Sequence, residues 1–330
     1  MPEPSAEPQP KRHGRFWLFA PYVLILAAFV AWSGVWWAMS TKLRSEVESR
    51  AQALRAQGYQ VAWTAMKVEG WPFRFELSLT DPRLGEPSGW ALAMPALKGV
   101  SAPWAPDRWT FAAADGLTLT RPGKGPLAVS GRAIRASVSG LGGSEPRLSF
   151  EGLDLSLSPA PGGQPAAFSA ADRFELHLQP GPDDQAALLI RVEDAKLEPG
   201  SALSHIATTL ELTWDSRLSH LSAFKGVGWA NAVRAWTAAG GAMSVADGKL
   251  ALGGLTLQGS GGPLTVGDDG RLRGSVGMTV SRGGGVNLGG IRLGGLNIGG
   301  LSFSGSMPLK FEDGRAAFGG FPVGAALKVY

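Results

Sequence analysis

The chain has 330 residues, 31 Lys and Arg against 27 Asp and Glu, a net charge of +4 and no cysteine. The absent thiol excludes disulfides, thiolate chemistry and a lipid attached to cysteine. The cations beyond residue 60 are scattered singly, so no basic patch points to nucleic acid despite a pI near 9.5.

Residues 1–15, rich in Pro, Glu and basic side chains, cannot bury enough apolar surface to fold and are predicted as a disordered tail. Residues 16–39, FWLFAPYVLILAAFVAWSGVWWAM, carry no charge. At ~1.5 Å per residue such a helix crosses a hydrocarbon core of ~30 Å with some tilt. Trp17 and Tyr22 near one end and Trp36 and Trp37 at the other suit the headgroup levels. A cleaved signal peptide has a shorter apolar region of ~7–15 residues, so a retained anchor is the reading. Lys42, Arg44, Arg50 and Arg55 balance Lys11, Arg12 and Arg15, so charge bias leaves the orientation open. The short basic tail followed at once by an apolar run reads as an export signal: tail in the cytoplasm, single pass through the inner membrane, carboxy-terminal domain in the periplasm. Residues 40–58 hold strong helix formers up to Gly58 and continue the helix as a stalk with a solvated charged face.

From residue 59 to 330 short segments alternate apolar and polar residues between Gly, Pro, Asp and Ser, an antiparallel β pattern. Strands are predicted at 73–79 (FRFELSL), 116–120, 147–157, 174–178, 210–213, 249–258, 271–280 and 307–311. Asp247-Gly248, Asp268-Asp269-Gly270 and Asp313-Gly314 supply the turns. The fold class is mainly β: a large curved antiparallel sheet, either one sheet or two lobes, 59–200 and 201–330, with one amphipathic helix at 217–239. That helix is read from the spacing of Leu218, Leu221, Phe224, Val233 and Trp236 before Gly240-Gly241. Residues 284–303 repeat Gly-Gly-apolar-polar-apolar four times, read as either a flexible apolar surface or a local expansion filling an edge.

Little suggests chemistry. His13, His177, His205 and His220 have no metal-ligand spacing, and His177 is predicted as a neutral pleat-facing side chain. No Gly-x-Ser-x-Gly elbow occurs. The chain is therefore read as a non-enzyme, with no catalytic residue, metal or cofactor.

In 68–84, VEGWPFRFELSLTDPRL, Gly70 permits close backbone approach, Pro72 extends Trp71, and Phe73, Phe75, Leu77 and Leu79 are expected on one strand face. The motif Gly70, Trp71, Pro72, Phe73 and Arg74, with 56–59 (AQGY), 233–241 (VRAWTAAGG) and 307–324 (MPLKFEDGRAAFGGFPVG), resembles the domain of unknown function 2125 family. The glycine repeat lies outside that pattern. The resemblance implies an alphaproteobacterial membrane-anchored envelope protein, more distantly similar to AsmA-like proteins that move or organise lipids. It makes the five motif residues candidate lipid-binding positions, with membrane lipids and envelope proteins as partners. The alternative is a scaffolding protein with a closed β core and protein partners only.

Overall fold

The computed structural model describes residues 16–140, 146–201, 203–204, 206–225, 228–282, 292–293, 296–297 and 306–330. The tail 1–15 and most of the glycine repeat 284–303 lie outside the described residues. One helix, α1 (Phe16–Ala56), runs unbroken from the apolar segment to the start of the β domain. Leu54 and Arg55 carbonyls close its end on Gln57, Gly58 and Tyr59.

The strands that follow are short and broken. They are β1 (Gln60–Ala62), β2 (Ala65–Glu69), β3 (Phe75–Thr80), β4 (Arg83–Gly85), β5 (Ala91–Ala93), β6 (Ala96–Ala102), β7 (Ala105–Ala112), β8 (Leu117–Arg121), β9 (Gly125–Ser130) and β10 (Ala133–Ser139). Long strands succeed them: β11 (Arg147–Pro159), β12 (Phe168–Pro180), β13 (Ala186–Leu197) and β14 (Thr209–Leu218). A 3-10 turn (Leu221–Ala223) and α2 (Trp229–Ala238) lead to β15 (Met243–Leu252), β16 (Leu255–Val266) and β17 (Leu272–Arg282). A small pairing of β18 (Arg292–Leu293) with β19 (Leu296–Asn297) stands apart, and β20 (Ser306–Glu312), β21 (Arg315–Phe318) and β22 (Phe321–Ala325) end the fold.

Every pairing in the 20-stranded sheet is antiparallel, and the broken strands are halves of longer ones. β2 pairs with β3 while β1 pairs with β4, and β6 pairs with β7 while β5 pairs with β8. β11 spans both halves, meeting β10 along its first part and β9 along its last. The topology is thus one meander, crossed by a line of bends. Asp81, Asp154 and Asp194 take left-handed φ of 49°, 50° and 46° along that line. Short side chains tolerate that conformation and kink a strand without ending its pairing. Thr64 Oγ1 donates to Asp81 Oδ2 at 3.2 Å, and Arg132 Nε meets Asp154 Oδ2 at 2.5 Å, pinning neighbouring bends together.

The sheet continues from β13 to β14 on either side of residue 200, pairing from Ala186↔Leu218 to Lys196↔Thr209. The sheet is not closed: β1 and β2 at one edge and β22 at the other do not pair with each other. Among the described residues the sheet thus lacks the closure that the scaffolding alternative expects. The sheet does curl, since α2, seated on the later strands, approaches the first edge so closely that a Cβ on Gly228 would strike the Tyr59 hydroxyl.

Three expectations change. Helix 217–239 is confined to α2, because Arg217 and Leu218 finish β14 and Leu221 lies in the 3-10 turn; its apolar set still meets in one cluster of Leu218, Leu221, Val233 and Trp236, with Phe224 against it. Asp247-Gly248 is not a turn but lies inside β15, where Gly248 leaves room for the Trp214 ring, 3.1 Å from its would-be Cβ. The turn falls instead after Leu252, with Gly253 at φ +58°. The charged face of 40–58 is only half the story, for Leu43 and Val47 pack on the sheet with Met39, and Ala51 is buried.

Candidate functional site: an apolar trough and the hairpin tip beside the membrane helix

Cross-strand register places one uninterrupted apolar row across the sheet. It runs Leu77, Gly99, Phe111, Ala136, Phe150, Leu176, Ile190, Trp214, Gly248, Gly259, Met278, Met307, each paired with the next. A flanking row runs Gly152, Phe174, Val192, Leu212, Leu250, Leu257, Val280. Glycines in these rows sit under large neighbours: a Cβ on Gly99 would lie 2.6 Å from the Phe111 ring, and one on Gly259 would collide with Met278 Sδ. The opposite face carries Glu151, Glu175, Arg173 and Arg191. Arg173 Nη1 meets Glu175 Oε1 at 2.9 Å, and this hydrogen bond and charge hold the guanidinium pKa above its ordinary value. His177 is on that polar face too, 3.0 Å from Ser149 Oγ.

A sheet of this kind buries its apolar face against a second layer. Among the described residues the cover here is partial. At one end Trp36, Met39, Leu43 and Val47 of α1 lie on Val68, Phe75 and Leu77. At another, Val233 and Trp236 of α2 lie on Ala186, Leu218 and Val266. Leu203 and Ile206 of the β13–β14 connection cover Leu197, Leu252 and Leu255. Between them Phe150, Leu176, Ile190, Trp214 and Met278 remain only half-buried, so the inside of the curl is an apolar trough.

The five candidate residues form the β2–β3 tip at the head of this trough. Arg74 N–H donates to the Gly70 carbonyl at 3.1 Å, closing a turn in which Gly70 has φ +99°. A Cβ there would meet Arg74 Cγ at 2.7 Å, so only glycine fits without displacement. Phe73 is consequently in the turn and 74% exposed, not on the strand face with Phe75, Leu77 and Leu79 as the sequence suggested. The tip leans on α1: Trp32 Nε1 donates to the Pro72 carbonyl at 2.9 Å, and Trp36 Nε1 to the Arg74 carbonyl at 3.1 Å. Phe29 meets Trp71 edge-on with ring centroids 5.0 Å apart. Arg74 itself turns to Glu76 at 3.0 Å.

The sequence singles out the motif residues and a curved sheet, but as a strand start rather than a tip, and it names neither the residues of the trough nor the helix seat. Both had a signal. Apolar parity repeats from strand to strand, and Trp36, Met39, Leu43 and Val47 recur at helical spacing on one stripe. Among the described residues no group of three or more His, Asp or Glu side chains could hold a metal ion.

The fold and site define a class: a β domain built as one open antiparallel meander and carried on the one helix, among the described residues, that is long and apolar enough to cross a membrane. The chain belongs to the family described as "uncharacterized protein conserved in bacteria (DUF2125)", which matches residues 36–326. No curated protein and no solved structure matches it.

Proposed function

We propose that this is a non-enzymatic, inner-membrane-anchored periplasmic protein whose trough binds lipid chains and organises lipids in the cell envelope. The observation that carries the reading is the row from Phe111 to Met307, apolar at every position, buried at Gly248 and Gly259, half-buried elsewhere and left partly uncovered inside an open curl. Exposed apolar area of that extent is costly in water at roughly 25 cal/mol per Å², and an acyl chain removes the cost without directional contacts. The head of the trough lies where α1 leaves its membrane-spanning part, which gives lipid a short path from the bilayer. The likeness to AsmA-like proteins belongs to the same reading.

The test is a photo-reactive phenylalanine analogue placed at Leu176, inside the trough, or at His177, on the polar face, in the full chain in cells. Lipid adducts at 176 and not at 177 support the reading. Protein adducts alone at 176 transfer it to a partner-binding scaffold.

A further inference from the structure

The position of the β2–β3 tip along α1 has a consequence independent of the trough. Counting ~30 Å at ~1.5 Å per residue from Phe16, where the helix begins, brings the apolar span to Val35. Val35 and Trp37 are 50% and 69% exposed on either side of Trp36, which is 9% exposed and faces Phe75, so the sheet meets a single stripe of the helix at this level. Phe29, the partner of Trp71, then lies about 9 Å inside the boundary and Trp32, the partner of Pro72, about 5 Å inside it. The tip follows the stripe 29, 32, 36 of the helix and cannot leave the bilayer surface while those contacts hold.

A second tip stands beside the first. Phe75 pairs with Ser101, so the β6–β7 turn at Pro103 and Trp104 is its immediate neighbour, closed by Ala102↔Ala105. Trp104 is 72% exposed and Phe73 74%, although both are large and apolar. Neither 70–73 nor 102–105 contains a charge. Exposed aromatic residues in uncharged turns at such a level fit the headgroup and upper acyl region, which favours Trp above all.

We infer that Trp71, Phe73 and Trp104 are buried in the bilayer leaflet facing the ectodomain, forming a membrane-inserted wedge that seats the sheet edge-on against the lipid. The ligand is the bilayer itself, held by aromatic and apolar contacts, with the Arg74 guanidinium at the level of the phosphates.

The chain's lack of cysteine makes the test direct. Full-length Phe73→Cys and Trp104→Cys, with Ser88→Cys on a distant exposed loop as control, are reconstituted in vesicles of phosphatidylethanolamine and phosphatidylglycerol. In the outward-facing population, Ser88→Cys is labelled by a membrane-impermeant maleimide, and labelling at 73 and 104 is lost. A fluorophore attached at 73 or 104 under denaturing conditions before reconstitution is quenched by doxyl lipid, and one at 88 is not. Equal maleimide labelling at all three sites overturns the inference. So does protection at 73 and 104 in cells but not in protein-free vesicles, which assigns the tips to a protein partner. A wedge found buried while Leu176 gains no lipid adduct leaves this inference standing and removes the trough reading alone.

Discussion

The indole of Trp36 stacks on the ring of Phe75, centroids 5.6 Å apart and planes 28° from parallel, while its Nε1–H reaches the Arg74 carbonyl at 3.1 Å. One side chain of the apolar helix therefore ties that helix to both the strand face and the tip of the first hairpin. The helix is thus a structural member of the β domain.

Phe75 is 2% exposed, and Phe75→Ala leaves a hole under Trp36. The expected loss is about 3–5 kcal/mol, seen as a lower denaturant midpoint in detergent. Proteolysis near residues 57–59 rises with it as α1 lifts from the sheet. An unchanged cleavage pattern would show that α1 is held by other contacts.

Gly70→Ala places a Cβ against Arg74 in a backbone at φ +99°. The expected cost is about 1–3 kcal/mol. The tip loses its place on Trp32 and Trp36, so the Phe73→Cys label described above becomes accessible from water. A substitution of equal stability cost elsewhere in the sheet, such as Gly99→Ala under Phe111, leaves that label protected.

Asp184 clamps the 3-10 turn ahead of α2: Ser222 N–H and Oγ–H donate to its two carboxylate oxygens at 2.7 and 2.8 Å. These hydrogen bonds hold its pKa below 3.8. A depressed folded pKa means the contribution is present above the unfolded value and fades as pH falls through the folded one. Asp184→Asn is therefore expected to lower the unfolding midpoint at pH 7, with the difference from wild type shrinking in acid below about pH 4. A difference independent of pH would assign the effect to geometry alone.

Much of the sheet was legible because alternation is a local property: 147–157 and 174–178 fall within observed strands, and 271–280 does so from Leu272 onward. Asp313-Gly314, both at positive φ, and the turn at Gly270 were legible for the same reason. What failed depended on partners distant in sequence. Gly248 looks like a turn residue until Trp214 is placed across from it. Leu218 and Trp236 look like one helix because they share a core, not an element. Phe73 continues the alternation of Phe75 and Leu77, yet the Gly70–Arg74 hydrogen bond takes it out of the strand. The motif residues were visible individually, but their seat on Phe29, Trp32 and Trp36 required the fold.

The most direct test of the central claim compares wild type with Ile190→Glu, full chain, by native mass spectrometry after detergent stripping, with lipid extraction of the same samples. Ile190 is half-buried in the middle of the row, so the carboxylate reaches water and the sheet persists while the apolar trough is interrupted. Wild type is expected to retain phospholipid that the variant lacks, against equal annular lipid around α1 in both. Equal retention in the two proteins would contradict the account, because it would place all bound lipid on the membrane helix.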